Sequence, residues 1–187
     1  MEKMKWLVIN YNLPTEPSRL RVSVWRSLKK LGAVNIQKSM WVFPHTEDNY
    51  SALLKISQEI EFNTGDAILM QCVFLDPRHE QRVIDIFNSA RDEEYRELLA
   101  DCEKYLKELE KEIAIEKFTF AEVEEEEEEL TKLLSWYAKL ETRDIFHCSQ
   151  RDSAKEILDQ AKRDFENYSD MVYQHNTKSH ESGNGRL

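Results

Sequence analysis

The amino-acid sequence predicts an α+β protein in which a small mixed domain precedes a helical arm. Residues 1–77 alternate short apolar stretches of strand type with amphipathic helices. Residues 78–173 instead carry apolar side chains at alternating spacings of three and four, as helices that share a packing seam do. Residues 174–187 hold almost no apolar side chain, so we expect a disordered tail there.

The first strand and the first helix are predicted within residues 5–32. The stretch KWLVINYNLP alternates apolar and polar positions until Pro14 ends it. A helix then begins at Ser18, the candidate N-cap, and stops at Gly32. Its apolar side chains share one third of the circumference at about 100° per residue, and Arg19, Arg26 and Lys30 group opposite them. The apolar residues are Leu20, Val24, Leu28 and Leu31.

The remaining elements of the first domain complete a recognisable order. The stretch AVNIQKSMWVFP, residues 33–44, predicts two short strands, or one strand broken by a bulge around Lys38 and Ser39. A second helix follows, capped by Asp48 or Asn49. The nearly unbroken apolar stretch DAILMQCVFLD, residues 66–76, predicts a central strand buried on both faces. The order βα(ββ)αβ indicates a ferredoxin-like sandwich.

Three apolar seams in residues 78–173 predict a coiled-coil or three-helix arm. The first helix of the arm ends before Thr119, and a second helix begins there, because Thr119 has capping-box spacing to Glu122. Ser149 and Asp152 give a weaker signal of the same kind before the third helix. The first seam consists of Val83, Phe87, Ala90, Tyr95, Leu98, Cys102, Tyr105 and Leu109. The second consists of Val123, Leu130, Leu133, Tyr137 and Leu140, and the third of Leu158, Ala161, Phe165, Tyr168 and Val172.

Positive charge is concentrated near the N-terminus of an acidic chain. The formal net charge is -10, but residues 1–50 hold eight Lys and Arg against four Asp and Glu. The thirty residues between Glu16 and Glu47 contain no carboxylate. Basic side chains there could contact phosphates and supply sequence-independent affinity for DNA, or they could serve solubility alone. The candidate DNA-binding residues are Arg19, Arg21, Arg26, Lys29, Lys30 and Lys38.

The sequence lacks the motifs that are typical of nucleotide binding, metal-dependent hydrolysis and acyl transfer. The chain has no Gly-rich phosphate loop, no HExxH and no GxSxG, and Cys72, Cys102 and Cys148 are far apart. We therefore expect no enzyme, catalytic residue, cofactor or metal. No apolar stretch reaches the roughly 18 residues of a membrane span, and no signal peptide is evident, so we expect a cytoplasmic protein without a membrane partner.

Two conspicuous groups of residues have ordinary structural interpretations. Trp6, Trp25 and Trp41 could stack on bases, but each lies within an apolar segment and is expected to pack in the core. The acidic run 124–129 lies inside a helical seam. It is therefore expected to form mostly a solvated helix face.

Particular stretches resemble a known family. The run RVSVWRSLKKLGAVNIQKSMWVFP, with DEEYRELLADCEKYLKELEKE and KFTFAEVEEEEEELTKLLSWYAKLETRDIF further on, resembles the N-terminal domain of the ChrB family of chromate-resistance regulatory proteins. The resemblance covers about residues 5–173. The first ninety residues are also similar to the ferredoxin-like domain of PaaX-type repressors and of small CRISPR-associated nucleases.

The resemblance implies a DNA-associated transcription regulator, homodimeric and connected with chromate resistance or a related stress response. The chromate-responsive C-terminal portion of that family has no counterpart here, so we expect a separate sensor protein. The CRISPR-type nucleases carry an acidic metal ligand at the end of the first strand. This sequence has Asn10 and Asn12 there, and an amide lacks the charge that a hard cation needs, so nuclease chemistry is not expected.

A second hypothesis from a different class stays open. The acidic helical arm could bind another protein, which would make the chain a non-catalytic interaction module. The basic helix would then serve only solubility.

Overall fold

A computed structural model describes residues 3–183, with side chains over 3–177, and these residues form four strands and five helices. This architecture confirms the predicted α+β class. The chain divides into two units, Met1–Ala90 and Arg91–Leu187. In chain order the elements are β1 (Trp6–Asn12), α1 (Ser18–Lys30), β2 (Val34–Gln37), β3 (Met40–Pro44), α2 (Glu47–Phe62), β4 (Asp66–Cys72), α3 (Pro77–Ala114), α4 (Phe120–Glu141) and α5 (Arg151–Gly183).

The sheet of the first unit has the strand order β2-β3-β1-β4, and every neighbouring pair is antiparallel. Each helix therefore connects two parallel strands that are separated by a third, which is the split βαβ arrangement of a ferredoxin-like fold. The predicted sandwich order is confirmed. Of the two alternatives for residues 33–44, the structure has two strands, with a register shift between Asn35 and Gln37.

The two faces of β1 have different neighbours. Leu7, Ile9 and Tyr11 share one face because residues two apart in a strand point the same way, and Leu7 and Ile9 are buried. Helix α1 lies on this side, since Tyr11 lines a cavity with Trp25. On the other side the ring of Trp6 lies 5.6 Å from that of Phe74, measured between centroids.

The prediction that residues 66–76 form a central strand buried on both faces is wrong. In the sheet that residues 3–183 form, β4 is an edge strand and β1 is its single neighbour. Ile68 is 55% exposed and Met70 is 40% exposed. An apolar run indicates a strand, but it does not show whether the strand lies at the centre or at the edge of a sheet. In β4, alternate side chains are exposed to solvent.

The division between the two units falls inside α3. The sequence prediction ends the first domain at residue 77, where α3 begins, whereas residues up to Ala90 group with the sheet. The indole N–H of Trp6 donates a hydrogen bond to Glu80 Oε1 at 2.8 Å. Its ring lies 5.8 Å from that of Phe87 between centroids, so the first turns of α3 complete the packing around Trp6.

The second unit packs the rest of α3 with α4 and α5 around one hydrophobic core. The three predicted seams supply most of that core: Tyr95, Leu98 and Cys102 from α3 are buried, as are residues of the other two helices. The first part of the first seam, residues 83–90, belongs to the first unit instead, and Cys148 and Ala154 join the core from outside the seams. Thr119 caps α4 as predicted, because its hydroxyl accepts a hydrogen bond from the N–H of Glu122 at 3.3 Å. The other core residues are Tyr105, Leu109, Leu130, Leu133, Leu140, Cys148, Ala154, Leu158, Ala161, Tyr168 and Val172.

The caps predicted for α2 and α5 are both wrong. Helix α2 is capped by Thr46, whose hydroxyl accepts from the N–H of Asn49, and not by Asp48 or Asn49 themselves. At the start of α5, the Ser149 hydroxyl donates to the carboxylate of Asp92 on α3 instead of capping with Asp152. Asp92 also accepts from the N–H of Gln150 at 2.9 Å. A carboxylate from another helix therefore takes the capping role, which local sequence cannot reveal.

Helix α5 continues through Gly183, past Tyr173, after which the sequence predicts disorder. Asn176 supports the extension, because its amide donates to the carbonyl oxygens of Val172 and Phe118. Polar composition alone does not exclude a helix that is anchored in this way. The last residues of the predicted tail, 184–187, lie outside the described residues. Within residues 3–183, none of the helices combines the length and hydropathy needed to cross a bilayer.

Candidate nucleic-acid interface

The candidate interface is built on α1, whose ends are fixed by its sequence. Pro17 is the N-cap residue and Ser18 is the first helical residue, so the prediction that Ser18 caps the helix is wrong. At the other end Gly32 has a φ of 82°. The Gly32 N–H donates to the Lys29 carbonyl and the Ala33 N–H to the Leu28 carbonyl, which forms a Schellman motif. Lys29 and Lys30 thus lie in the last turn, where the helix dipole favours cations.

The helix is apolar inside and basic outside, as its periodicity predicts. Val24 and Leu28 are fully buried. On the opposite side Arg19, Arg26 and Lys30 are exposed. Burying the two apolar side chains contributes roughly 1.5 to 3 kcal/mol each, so the same packing that holds the helix on the sheet directs the basic side chains outward.

Few carboxylates offset this positive charge. Within the part of the chain that the structure describes, Arg19, Arg26 and Lys30 form no ion pair. Glu59 of α2 lines a cavity with Arg19, but its carboxylate accepts a hydrogen bond from Ser23 at 3.3 Å. Asp48 lines a cavity with Lys30, and Lys55 lies in the same cavity. The outer face of α1 therefore keeps a net positive charge.

Trp25 lies on this surface, which contradicts its predicted place in the core. Its side chain is 48% exposed, and the Nζ atom of Lys29 lies 6.0 Å from its ring centroid. Val22 beside it is 43% exposed. Trp6 and Trp41 are buried as predicted, at 0% and 4% exposed. An exposed indole among basic side chains is a second kind of contact for a nucleic acid, through stacking.

Arg21 lies between the apolar and basic sides of α1. It is exposed and lines a cavity of about 380 Å³ together with Tyr11, Val22 and Trp25. Burial raises the pKa of Tyr11, and a hydrogen bond with the side chain of Trp41 opposes that rise. The phenol therefore stays neutral beside Arg21, and the cavity wall adds no negative charge.

Lys38 belongs to the turn between β2 and β3, where its φ is 39°. Strand β2 runs parallel to β1, so this turn lies at the end of the sheet where β1 finishes and α1 begins. Lys38 is exposed there, and its carbonyl accepts from the Asn35 amide at 2.7 Å. The six candidate residues thus lie along α1 and at the sheet end beside the start of that helix.

The end of β1 carries amides where the CRISPR-type nucleases carry an acid. The side-chain oxygen of Asn10 accepts a hydrogen bond from the Ser39 hydroxyl at 2.7 Å, which ties β1 to the turn before β3. Among residues 3–177 no three His, Cys, Asp or Glu side chains are placed to hold one metal ion. Through its hydrogen bond with Ser39, Asn10 has a structural role at this end of the sheet.

The chain is thus an α+β protein in which a ferredoxin-like sheet precedes a three-helix arm, and its first helix has an exposed basic face. The family described as "Protein ChrB, N-terminal" matches residues 21–179, which is most of the chain. The chain belongs to this family, and membership associates it with chromate resistance. No curated protein and no solved structure matches the chain.

Proposed function

We propose that the chain is a DNA-associated transcription regulator, connected with chromate resistance or a related stress response, that contacts DNA through the basic face of α1. The observation that carries the proposal is the exposure of Arg19, Arg26 and Lys30 on one side of one helix, without an ion pair to a described residue. Basic side chains with no intramolecular partner can neutralise phosphates and release the bound counterions.

The dimensions of α1 suit a contact with the DNA backbone. From Arg19 to Lys30 the helix advances about 16 Å at 1.5 Å per residue. This length corresponds to about five base-pair steps of 3.4 Å, so the basic side chains can reach several successive phosphates. Lys38 and Arg21 extend the same surface at the start of the helix, and Trp25 adds an aromatic contact.

The proposal includes a homodimer and a separate sensor protein as partners. Two copies would double the number of phosphate contacts and match a two-fold symmetric DNA site. Light scattering on the purified full chain gives its mass in solution. Twice the chain mass is the expected result, and the mass of one chain would contradict the dimer.

A titration of the full chain against DNA from its own promoter tests the DNA contact. Fluorescence anisotropy at low and at near-physiological salt should show binding that weakens as salt rises. The double variant Arg26→Glu and Lys30→Glu should bind at least about tenfold more weakly, since it removes two phosphate contacts and adds two repulsive charges.

A matched control is the double variant Arg96→Glu and Lys107→Glu, which makes the same charge change at exposed positions of α3. It should bind nearly as the wild type does. Equal losses in the two double variants, or no binding by the wild type, would contradict the proposal. A protein partner recovered from DNase-treated lysate would then support the interaction module as the function.

A further inference from the structure

A strongly acidic cavity lies between α3 and α4 within the second unit. Its volume is about 330 Å³, and seven carboxylates and two lysine ammonium groups line it, which gives a formal charge of -5. This volume is at the small end of the range for ligand sites, roughly 300 to 1,000 Å³. The cavity therefore suits a small, positively charged ligand.

Ion pairs within the chain neutralise only part of this charge. Lys104 lies 2.6 Å from Asp101, measured from Nζ to Oδ1. Lys117 bridges Glu112 and Glu122, with Nζ–O distances of 3.3 and 2.7 Å. Lys132, from outside the lining, lies 2.6 Å from the fourth carboxylate, that of Glu129.

Three carboxylates of the lining remain weakly paired or unpaired. Among the described side chains, the carboxylate of Glu108 has one ion-pair contact, 4.0 Å from the Nζ atom of Lys111. Glu125 and Glu126 form no hydrogen bond or ion pair through their carboxylates with another residue of the described chain. Two to three negative charges are thus available to a ligand.

Glu126 distinguishes this cavity from an ordinary acidic surface. It is only 5% exposed, and it lines the cavity with its carboxylate unpartnered. A carboxylate without a partner on a side chain this buried is poorly hydrated, which costs free energy, and a cationic ligand would reduce that cost. Burial, followed by the carboxylates of Glu108 and Glu112, raises the pKa of Glu126 to about 7. A bound cation would therefore also displace a proton.

The spacing of the carboxylates favours an extended cation over a metal ion. The α4 acids follow one helix face from Glu122 to Glu129, about 10 Å along the axis. Over the described side chains, no three carboxylates are grouped closely enough to hold a metal ion. Tyr105 adds an aromatic wall, which suits an alkylammonium chain.

We propose that this cavity binds a linear aliphatic di- or triamine, whose ammonium groups pair with Glu108, Glu125 and Glu126. The methylene chain between them would lie along Tyr105 and Leu133 in the lining. No part of this proposal depends on a DNA contact by α1.

Calorimetric titration of the full chain with spermidine, a linear triamine, tests the proposal. The wild type should bind spermidine more tightly than it binds Mg²⁺ at matched ionic strength. Glu126→Gln should weaken spermidine binding about tenfold, the expected loss for one charged contact in a desolvated site. Glu125→Gln should weaken it as well and serves as the second cavity variant if Glu126→Gln does not fold.

The matched control is Glu127→Gln, in the same acidic run but exposed and outside the lining. It should change the affinity by less than about twofold. Titration near pH 7 in two buffers of different ionisation enthalpy should show proton release by the wild type and none by Glu126→Gln. No spermidine binding, equal binding of Mg²⁺, equal losses from the cavity and control variants, or no proton release by the wild type would each overturn the proposal.

Discussion

At the scale of the residue, Trp25 gives a direct test of the surface of α1. Trp25→Ala should weaken binding to promoter DNA by about 1 kcal/mol, because an exposed indole can pack its apolar face against the sugars of the DNA backbone. The free energy of unfolding should change little, since the side chain is 48% exposed. Anisotropy and thermal unfolding measure the two effects. Phe62→Ala, an 89% exposed aromatic on α2, is the control, and equal losses of affinity in both variants would contradict the role of Trp25.

Glu126 makes the stability of the protein depend on pH. Folding raises its pKa from 4.5 to about 7, first through burial and then through neighbouring carboxylates. The folded state therefore binds this proton more tightly, and the free energy of unfolding falls as pH rises from about 4.5 to about 7. The charged groups that face Glu126 in the cavity are Asp101, Lys104, Glu108, Glu112, Lys117, Glu122, Glu125 and Glu129.

Glu126→Gln should remove this penalty. At about 1.4 kcal/mol per pKa unit, the rise from 4.5 to about 7 corresponds to about 3.5 kcal/mol. Water in the open cavity screens part of this effect, so the variant should be more stable than the wild type by about 2 to 3 kcal/mol above pH 7, and nearly equal to it near pH 4. Thermal unfolding across this pH range measures the difference. Glu127→Gln should show a much smaller one, and a gain that is independent of pH would contradict the assignment to Glu126.

In α1, helical periodicity predicts which side chains are buried, whereas hydrophobicity alone does not. The helical spacing of Val24 and Leu28 predicted both the buried face and the exposed basic residues. The hydrophobicity of Trp25 predicts a place in the core, although at about 100° per residue this side chain lies roughly 100° from the centre of the apolar face. The burial of Glu126 depends on a facing helix, so no local pattern in the acidic run reveals it.

At the scale of the element, Asp92 connects α3 to the start of α5. Its carboxylate accepts hydrogen bonds from the Ser149 hydroxyl and from the Gln150 N–H. Asp92→Ala should lower the free energy of unfolding by about 1 kcal/mol, the usual cost of a lost N-terminal cap. Denaturant unfolding measures this loss. Glu93→Ala, at an exposed neighbouring position, should cost clearly less.

The sequence predicts those helices and strands whose type depends on residues close together in the chain. The strand and helix order, the three seams and the Thr119 cap follow from alternation and capping chemistry. Strand β4 shows the limit: its composition resembles that of a central strand, but strand pairing places it at the edge. Pairing is set by contacts between distant parts of the chain, which a single apolar run does not encode.

At the scale of the whole molecule, the uneven charge distribution determines how binding should depend on salt. The chain carries a net charge of -10, so away from α1 it repels DNA, with a range of about 8 Å at physiological salt. If Arg19, Arg26, Lys29 and Lys30 each contact a phosphate, the slope of log K against log salt should be about -3.6 per chain.

Lys30→Gln should make that slope less negative by about 0.9, since one phosphate contact is lost. Titrations at several salt concentrations measure the slope. Lys107→Gln, at an exposed position on α3, should leave the slope unchanged. A Lys30→Gln slope identical to that of the wild type would show that this ammonium group does not contact a phosphate.

The placement of the unit boundary inside α3 decides where the molecule can be cut. A recombinant fragment that stops at residue 77 would leave the indole of Trp6 without the acceptor Glu80 and without the ring of Phe87. One that stops at Ala90 keeps both. Expression trials of the isolated sheet unit should therefore yield folded material only when the first turns of α3 are included.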